Sequence, residues 1–231
     1  VALIVTLMVT EGDKASTLAR DTVFAAVMIV CNGVVGLSLL LAARRTETVR
    51  FSEQGSNALL GTLLTLATLS LVMPTFTSSS AGPTFSSSQL AFSAVAAAVV
   101  YGIFVFAQTR RLRWMFTDAE EEAEPHPDSG SMLRHVVLLL VSLAGVIGFA
   151  KLLAPSIEDA VVWAGAPQSF VGVVIALLVL LPESVAAFRA ANKGHMQTST
   201  NLALGSALAS IGLTIPAIAI ASIWLEGPLL L

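Results

Sequence analysis

Glu183 is the residue whose position most demands a chemical explanation. Thirteen apolar or small residues run up to it from Phe170, Val185–Phe188 follow, and the nearest cation, Arg189, stands six residues further on. A carboxylate inside an apolar, span-length segment is costly and usually marks an ion pathway or a proton relay. Out of water its charged form is disfavoured unless a cation sits beside it, so protons and metal ions compete for the same oxygens. The plainer alternative is a glutamate near a helix end that reaches the lipid headgroups or Arg189. Pro182 weighs against that alternative. It has no N–H to offer the carbonyl of Leu178, and its ring is expected to disturb the turn around Leu178 and Val179. Carbonyl oxygens freed one turn before a buried carboxylate, Val179 among them, would suit a hard cation such as Ca²⁺, which takes roughly six to eight oxygens. Irregular backbone at membrane depth is tolerated only where it lines a cavity or is buried in protein.

The next segment offers more oxygens. Asn201, Gly205, Ser206, Ser210, Gly212 and Thr214 recur in an otherwise apolar run that ends at Pro216. Small residues let helices approach closely and hydroxyls bond across them, so packing accounts for Ser210 and Thr214 as well as ligation does. Ser206, beside Gly205 and near Glu183 along the chain, is the better ligand. Asn32, alone in the apolar run Val23–Ala43, needs polar partners and is a candidate contribution from a second element. The candidate cation-binding set is therefore Glu183, Ser206, Gly205, Val179, Asn201 and Asn32. Asp21 reads as a helix cap or an interfacial residue, and Cys31 as a small core residue. His195 and Ser206 are the one Ser–His pairing worth weighing as a hydrolase. They stand eleven residues apart without a nucleophile motif, so no enzyme activity and no cofactor are expected.

Such chemistry needs long apolar helices to hold it, and the composition supplies them. The chain has 231 residues, of which 55% are hydrophobic and 12% charged, where a soluble domain carries about 25% charged residues. Val23–Ala43, Ala58–Pro74, Gln89–Gln108, Val136–Ala150 and Leu202–Leu225 contain no Asp, Glu, Lys or Arg. A spanning helix needs about 20 mostly apolar residues. The Val136 run reaches that length with Lys151–Ala154, and Phe170–Phe188 is a sixth run broken only by Pro182 and Glu183. The expected fold is all-α, a polytopic transmembrane helix bundle of six full spans and one truncated span, Val1–Thr10. That opening half-span, and Gly227–Leu231 as the start of a further element, make the sequence read as a fragment. A net charge of −3 and no basic cluster longer than three residues argue against nucleic acid. The expected partners are the lipid bilayer and cations.

Thr117–Ser131 carries Asp118, Glu120, Glu121, Glu122, Glu124 and Asp128 with Pro125 and Pro127, and reads as a solvated linker. It divides a first repeat, residues 1–116, from a second, residues 132–231. Thr75–Ser88, rich in Ser, Thr and Gly, reads as a loop without secondary structure. Nine basic residues (Arg44, Arg45, Arg50, Arg110, Arg111, Arg113, Arg134, Arg189 and Lys193) fall on one set of alternate connections and three on the other. The excess places the acidic linker in the cytoplasm, with the protein multi-pass in the cell inner membrane. In that orientation the pair Val1–Thr10 with Asp21–Ala43 and the pair Phe170–Phe188 with Asn201–Leu225 run oppositely, as an inverted-topology repeat requires. A faint echo agrees: Asp21-Thr22 precedes Gly36-Leu37-Ser38 at the spacing by which Gln197-Thr198 precedes Gly212-Leu213-Thr214.

The run Asn201–Pro216, the Pro182-Glu183 element and the stretch Ala19-Arg20-Asp21-Thr22 to Leu40, together with Gln108-Thr109 and the acidic linker, resemble bacterial calcium/proton antiporters of the ChaA type. These belong to the cation/Ca²⁺ exchanger superfamily. The resemblance covers nearly the whole chain. It implies two inverted repeats, each giving one acid to a shared midplane site where Ca²⁺, or Na⁺ or K⁺, exchanges for H⁺ by alternating access. Glu183 matches the second repeat's acid, and the first would fall just before Val1. Ala209 stands nearest the place of a glutamine found in many relatives. A non-exchanging channel or a structural membrane subunit is the reading from another class.

Overall fold

Each apolar run folds as a helix whose ends are set by local signals. The computed structural model describes residues 13–45, 48–78, 85–116, 132–167 and 169–221. Helix α1 (Asp13–Met28) continues without a break through a π-helical turn (Ile29–Val34) into α2 (Val35–Ala43). Helix α3 (Glu53–Ala67) starts where the Ser52 hydroxyl accepts from the Gly55 N–H at 3.0 Å, which satisfies one of the donors a helix start leaves open. It runs on through a second π-helical turn (Thr68–Val72) and a 3₁₀ turn (Met73–Phe76). Helix α4 (Ser87–Phe106) opens with a reciprocal capping box between Ser86 and Gln89 and closes through a third π-helical turn (Ala107–Arg111). Helices α5 (Met132–Trp163), α6 (Ser169–Asn192) and α7 (Met196–Ala221) complete the described elements. Gly194, at φ +91°, makes the sharp turn between α6 and α7 in a backbone region that suits glycine.

Among the described residues every regular element is helical. Five stretches of the described residues are long and apolar enough to cross a membrane: Asp21–Ala43, Glu53–Phe76, Ser87–Arg111, Ser169–Asn192 and Met196–Ile220. The protein is a polytopic all-α membrane bundle. The sixth expected span, Val136–Ala154, lies within α5, a single helix whose described apolar stretch is Leu133–Ser142. The truncated span Val1–Thr10, the linker Thr117–Ser131 and Gly227–Leu231 lie outside the described residues. Two expectations are corrected. Thr75–Ser88 is not featureless: Thr75 and Phe76 end the 3₁₀ turn, and Ser87 and Ser88 already belong to α4. Asp21 does not cap a helix, because α1 begins eight residues earlier and carries it within its length.

Helix α7 is the axis of the bundle and touches α1, α2, α3, α4 and α6. Leu204, Ala207, Leu208, Ile211, Ile215 and Ile218 are each at most 1% exposed. Glycines set its closest crossings. A Cβ at Gly212 would stand 2.9 Å from Cβ of Tyr101 on α4, and one at Gly172 of α6 would stand 3.0 Å from the Thr22 backbone nitrogen on α1. Small residues at such crossings bring helices together where lipid supplies no hydrophobic drive.

One end of the bundle gathers the basic connections. Ala42, Ala191 and Met196, from the ends of α2 and α6 and the start of α7, form a buried cluster with Val49 against it. Beside it the Ser52 N–H donates to Oε1 of the buried Gln197 at 2.8 Å, and Nε2 of Gln197 donates to Oδ1 of Asn201 at 2.9 Å. The Asn201 amide donates in turn to the Phe116 carbonyl. Phe116 is itself buried, edge-on to Phe104 at 5.8 Å. Helices α2, α4 and α6 therefore end, and α3 and α7 begin, at the same end.

Candidate ion-binding site

Glu183 sits on the buried face of α6. It follows Ala176 by seven residues and precedes Ala187 by four, and these alanines are 1% and 0% exposed. Such spacing puts all three on one side of a helix. The residue is half-buried, and its Oε2 is fully buried with no hydrogen-bond partner among the described residues. A buried polar atom left unpaired is costly, and in a native structure it calls for an ion, a water or a proton to account for it.

The α6–α7 hairpin fixes what lies level with this carboxylate. Glu183 precedes the turn glycine Gly194 by eleven residues, and Gly205 and Ser206 follow it by eleven and twelve. At 1.5 Å per residue all three lie about 16–18 Å from the turn. Ser206 and Gly205 are half-buried, and a Cβ at Gly205 would meet nothing within 4 Å, in contrast to Gly172 and Gly212. Gly205 is thus not a site of tight helix contact, and the space beside it lies at the depth of Glu183.

The other candidates stand elsewhere. Asn201 lies nearer the basic end, with its carbonyl oxygen and amide engaged by Gln197 and Phe116. Asn32 is exposed among the described residues, on the π-helical turn between α1 and α2, where its amide donates to the Met28 carbonyl at 3.0 Å. Val179, 42% exposed, lies with Leu178 and Leu181 on the outward side of α6. The expected disturbance at Pro182 is absent, since α6 runs as one helix from Ser169 to Asn192 with the proline inside it. Pro182 is exposed there, so its ring needs little room among neighbouring helices. The Thr214 hydroxyl donates to the Ser210 carbonyl one turn earlier, which fits its packing reading. His195 stands at the hairpin turn, about 16 Å from the level of Ser206 along α7. Among the described residues no group of three or more His, Cys, Asp or Glu could hold a metal ion.

Residue comparison decides the family. The profile described as Sodium/calcium exchanger protein matches residues 1–110 and 134–230. The chain belongs to that family. Within it, this exchanger-family chain is 45% identical over 226 residues to the candidate ionic transporter y4hA of Sinorhizobium fredii, covering 96% of this chain and 62% of that protein. It is 37% identical over 225 residues to the sodium-potassium/proton antiporter ChaA of Escherichia coli, covering 94% of this chain and 60% of that protein. The chain therefore spans about three fifths of the length of these relatives.

Sequence reasoning missed the Gln197 amide network and the buried hydroxyls of Ser38, Ser56 and Ser199. For Gln197 a signal was present: an amide four residues before Asn201, at the mouth of an apolar run, is an i, i+4 pair that can bond along a helix. The serines gave none, because serine in a membrane helix ordinarily bonds back to its own backbone.

Proposed function

We propose that the intact protein exchanges a cation for protons by alternating access at Glu183. The observation that carries the reading is the buried, unpartnered Oε2 of Glu183, level with Ser206 and Gly205 and beside open space at Gly205. A carboxylate there holds either a cation or a proton, and the empty ionised form is too costly to carry across, so movement of one is tied to movement of the other. Two halves, residues 1–116 and 132–231, enclose the site as inverted repeats, with the acidic linker 117–131 cytoplasmic in the inner membrane. Family membership supports this reading, as does the gathering of Arg44, Arg50, Arg110, Arg113 and Lys193 in connections at one end. The last members of the two echoing stretches, Ser38 and Thr214, are 1% and 2% exposed.

Calcium is the cargo that carboxylate and hydroxyl oxygens suit, in a site completed by a second acid that neutralises the remaining charge. Sodium or potassium is the second reading, favoured by the name of the ChaA relative and by Glu183 holding the one buried, unpartnered carboxylate oxygen among the described residues, which balances one positive charge unaided.

The test is Glu183→Gln in the full-length protein, assayed as cation-dependent dissipation of a pH gradient in everted vesicles. Calcium, sodium and potassium are added separately, so the cargo is read in the same experiment. Exchange is expected to fall by about a hundredfold or more, as when a proton-transferring side chain is lost. Ser206→Ala, which removes one neutral ligand, costs only severalfold. Wild-type rates in Glu183→Gln, or a loss no larger than in Glu158→Gln on α5, would remove Glu183 from the mechanism.

A further inference from the structure

Between Glu183 and the basic end lies a layer the exchange site does not use. Ser38 on α2 is 1% exposed and Ser199 on α7 is 0% exposed, and neither hydroxyl has a hydrogen-bond partner among the described residues. Serine in a helix ordinarily returns its proton to the carbonyl one turn back, as Ser184 does to Leu180 at 2.7 Å and Ser70 does to Leu66. Ser38 and Ser199 forgo that bond in the interior.

Their places along the bundle coincide. The buried cluster of Ala42, Ala191 and Met196 closes the basic end where α2, α6 and α7 meet. Stepping inward, Ser38 lies four residues before Ala42, Ala187 four before Ala191, and Ser199 three after Met196. These are single helical turns, so the three positions share one level and the faces of the cluster beneath them. Ala187 is 0% exposed and carries only a methyl group. Glu183 lies one further turn inward on α6. Ser206, seven residues after Ser199, lies on the same side of α7. From the basic end inward the order is apolar seal, hydroxyl layer, carboxylate. Of the charged and titratable groups on these elements at that end, Arg44, Arg45, Lys193 and His195 lie at or beyond the level of the seal, and Arg189, two residues inward of Ala191, is exposed on another side of α6.

We propose that Ser38 and Ser199 hold water in a proton relay between the cytoplasmic end and Glu183, with the Ala42–Ala191–Met196 cluster as its inner gate. This rests on Glu183 being the proton carrier. Two neutral hydroxyls cannot replace the hydration shell of a metal cation, which needs several oxygens and charge to balance it. They can each donate one proton to water and accept one from it, so the layer passes a proton and is left unchanged. The net transfer is one proton from cytoplasmic water to the Glu183 carboxylate, or its reverse. The cation reaches Glu183 by another route.

The test uses the full-length protein with Ser38→Ala and Ser199→Ala combined, in everted vesicles. Two modes are measured: proton-coupled exchange, and tracer exchange of calcium for calcium and sodium for sodium, which moves no proton. Proton-coupled exchange is expected to fall about tenfold, short of the roughly hundredfold of a lost proton-transfer group because water keeps part of the route. Tracer exchange and the KM for the cation are expected to stay within twofold of wild type. An equal fall in both modes would make the serines structural, and unchanged proton-coupled exchange would also overturn the relay. If the double variant does not reach the membrane, Ser199→Ala alone is read by the same criteria. Glu183→Gln, run beside it, separates the two ideas: wild-type exchange in that variant defeats the carboxylate, whereas its loss beside a fully active serine variant defeats only the relay.

Discussion

Replacing Gln197 by leucine should loosen the whole basic end of the bundle. Gln197 is 2% exposed, and its amide serves two partners, the Ser52 N–H at 2.8 Å and Oδ1 of Asn201 at 2.9 Å. Leucine fills a similar volume, so the loss is polar rather than a cavity. Each hydrogen bond is worth about 1 kcal/mol net, and stranding a buried partner adds a desolvation cost of about 1–3 kcal/mol. Ser52 and Asn201 are only half-buried and recover part of that from water, which brings the total to about 2–4 kcal/mol. In a full-length protein of the relatives' size the loss lowers Tm by about 3–5 °C. The assay is thermal unfolding of the purified full-length protein in detergent. Gln197→Glu keeps an acceptor for Ser52 but buries a carboxylate against Oδ1 of Asn201, so it should be no more stable than leucine. A Tm within about 1 °C of wild type for Gln197→Leu would show that the network adds nothing to stability.

Two further outcomes are expected. Gly212→Ala and Gly172→Ala each drive a methyl group into Tyr101 or the α1 backbone. Each should cost about 1–3 kcal/mol as overpacking, whereas Gly205→Ala, with nothing within 4 Å of its Cβ, should unfold near the wild-type temperature. A reporter inserted at 117–131 should read cytoplasmic in whole cells; a periplasmic reading would reverse the orientation drawn from the basic residues.

The membrane-helix character, the helical hairpin and the acid in its first arm were legible in the sequence, because each rests on a local property: a run without charge, two such runs in close succession, a carboxylate where none belongs. The inward face of Glu183 was not legible, since it depends on which side of α6 meets its neighbours. Pro182 misled for a related reason. A proline inside a lipid-facing helix surface can be accommodated without breaking the helix, and nothing local showed that its side faced outward. Asn201 and Asn32 were read as candidate cation ligands because the partners of their amides, the Phe116 carbonyl eighty-five residues away and the Met28 carbonyl one turn back, are invisible to spacing alone.

The π-helical turn at Ile29–Val34 works as a phase corrector. Thr22, Ala26, Val30, Val34, Ser38 and Ala42 are all buried, at strict four-residue intervals over the length of one span. In an unbroken α-helix each such interval overshoots a full revolution by roughly 40°. Five intervals would accumulate about 200° and carry Ala42 round to the side opposite Thr22. The wider winding of a π turn subtracts from that advance midway, much as a leap day keeps a calendar on its season. Anyone counting 3.6 residues per turn from Thr22 would aim Ser38 at lipid. With the correction, one ladder keeps company with α6 near Gly172 at one end of the bundle and with Ala191 at the other.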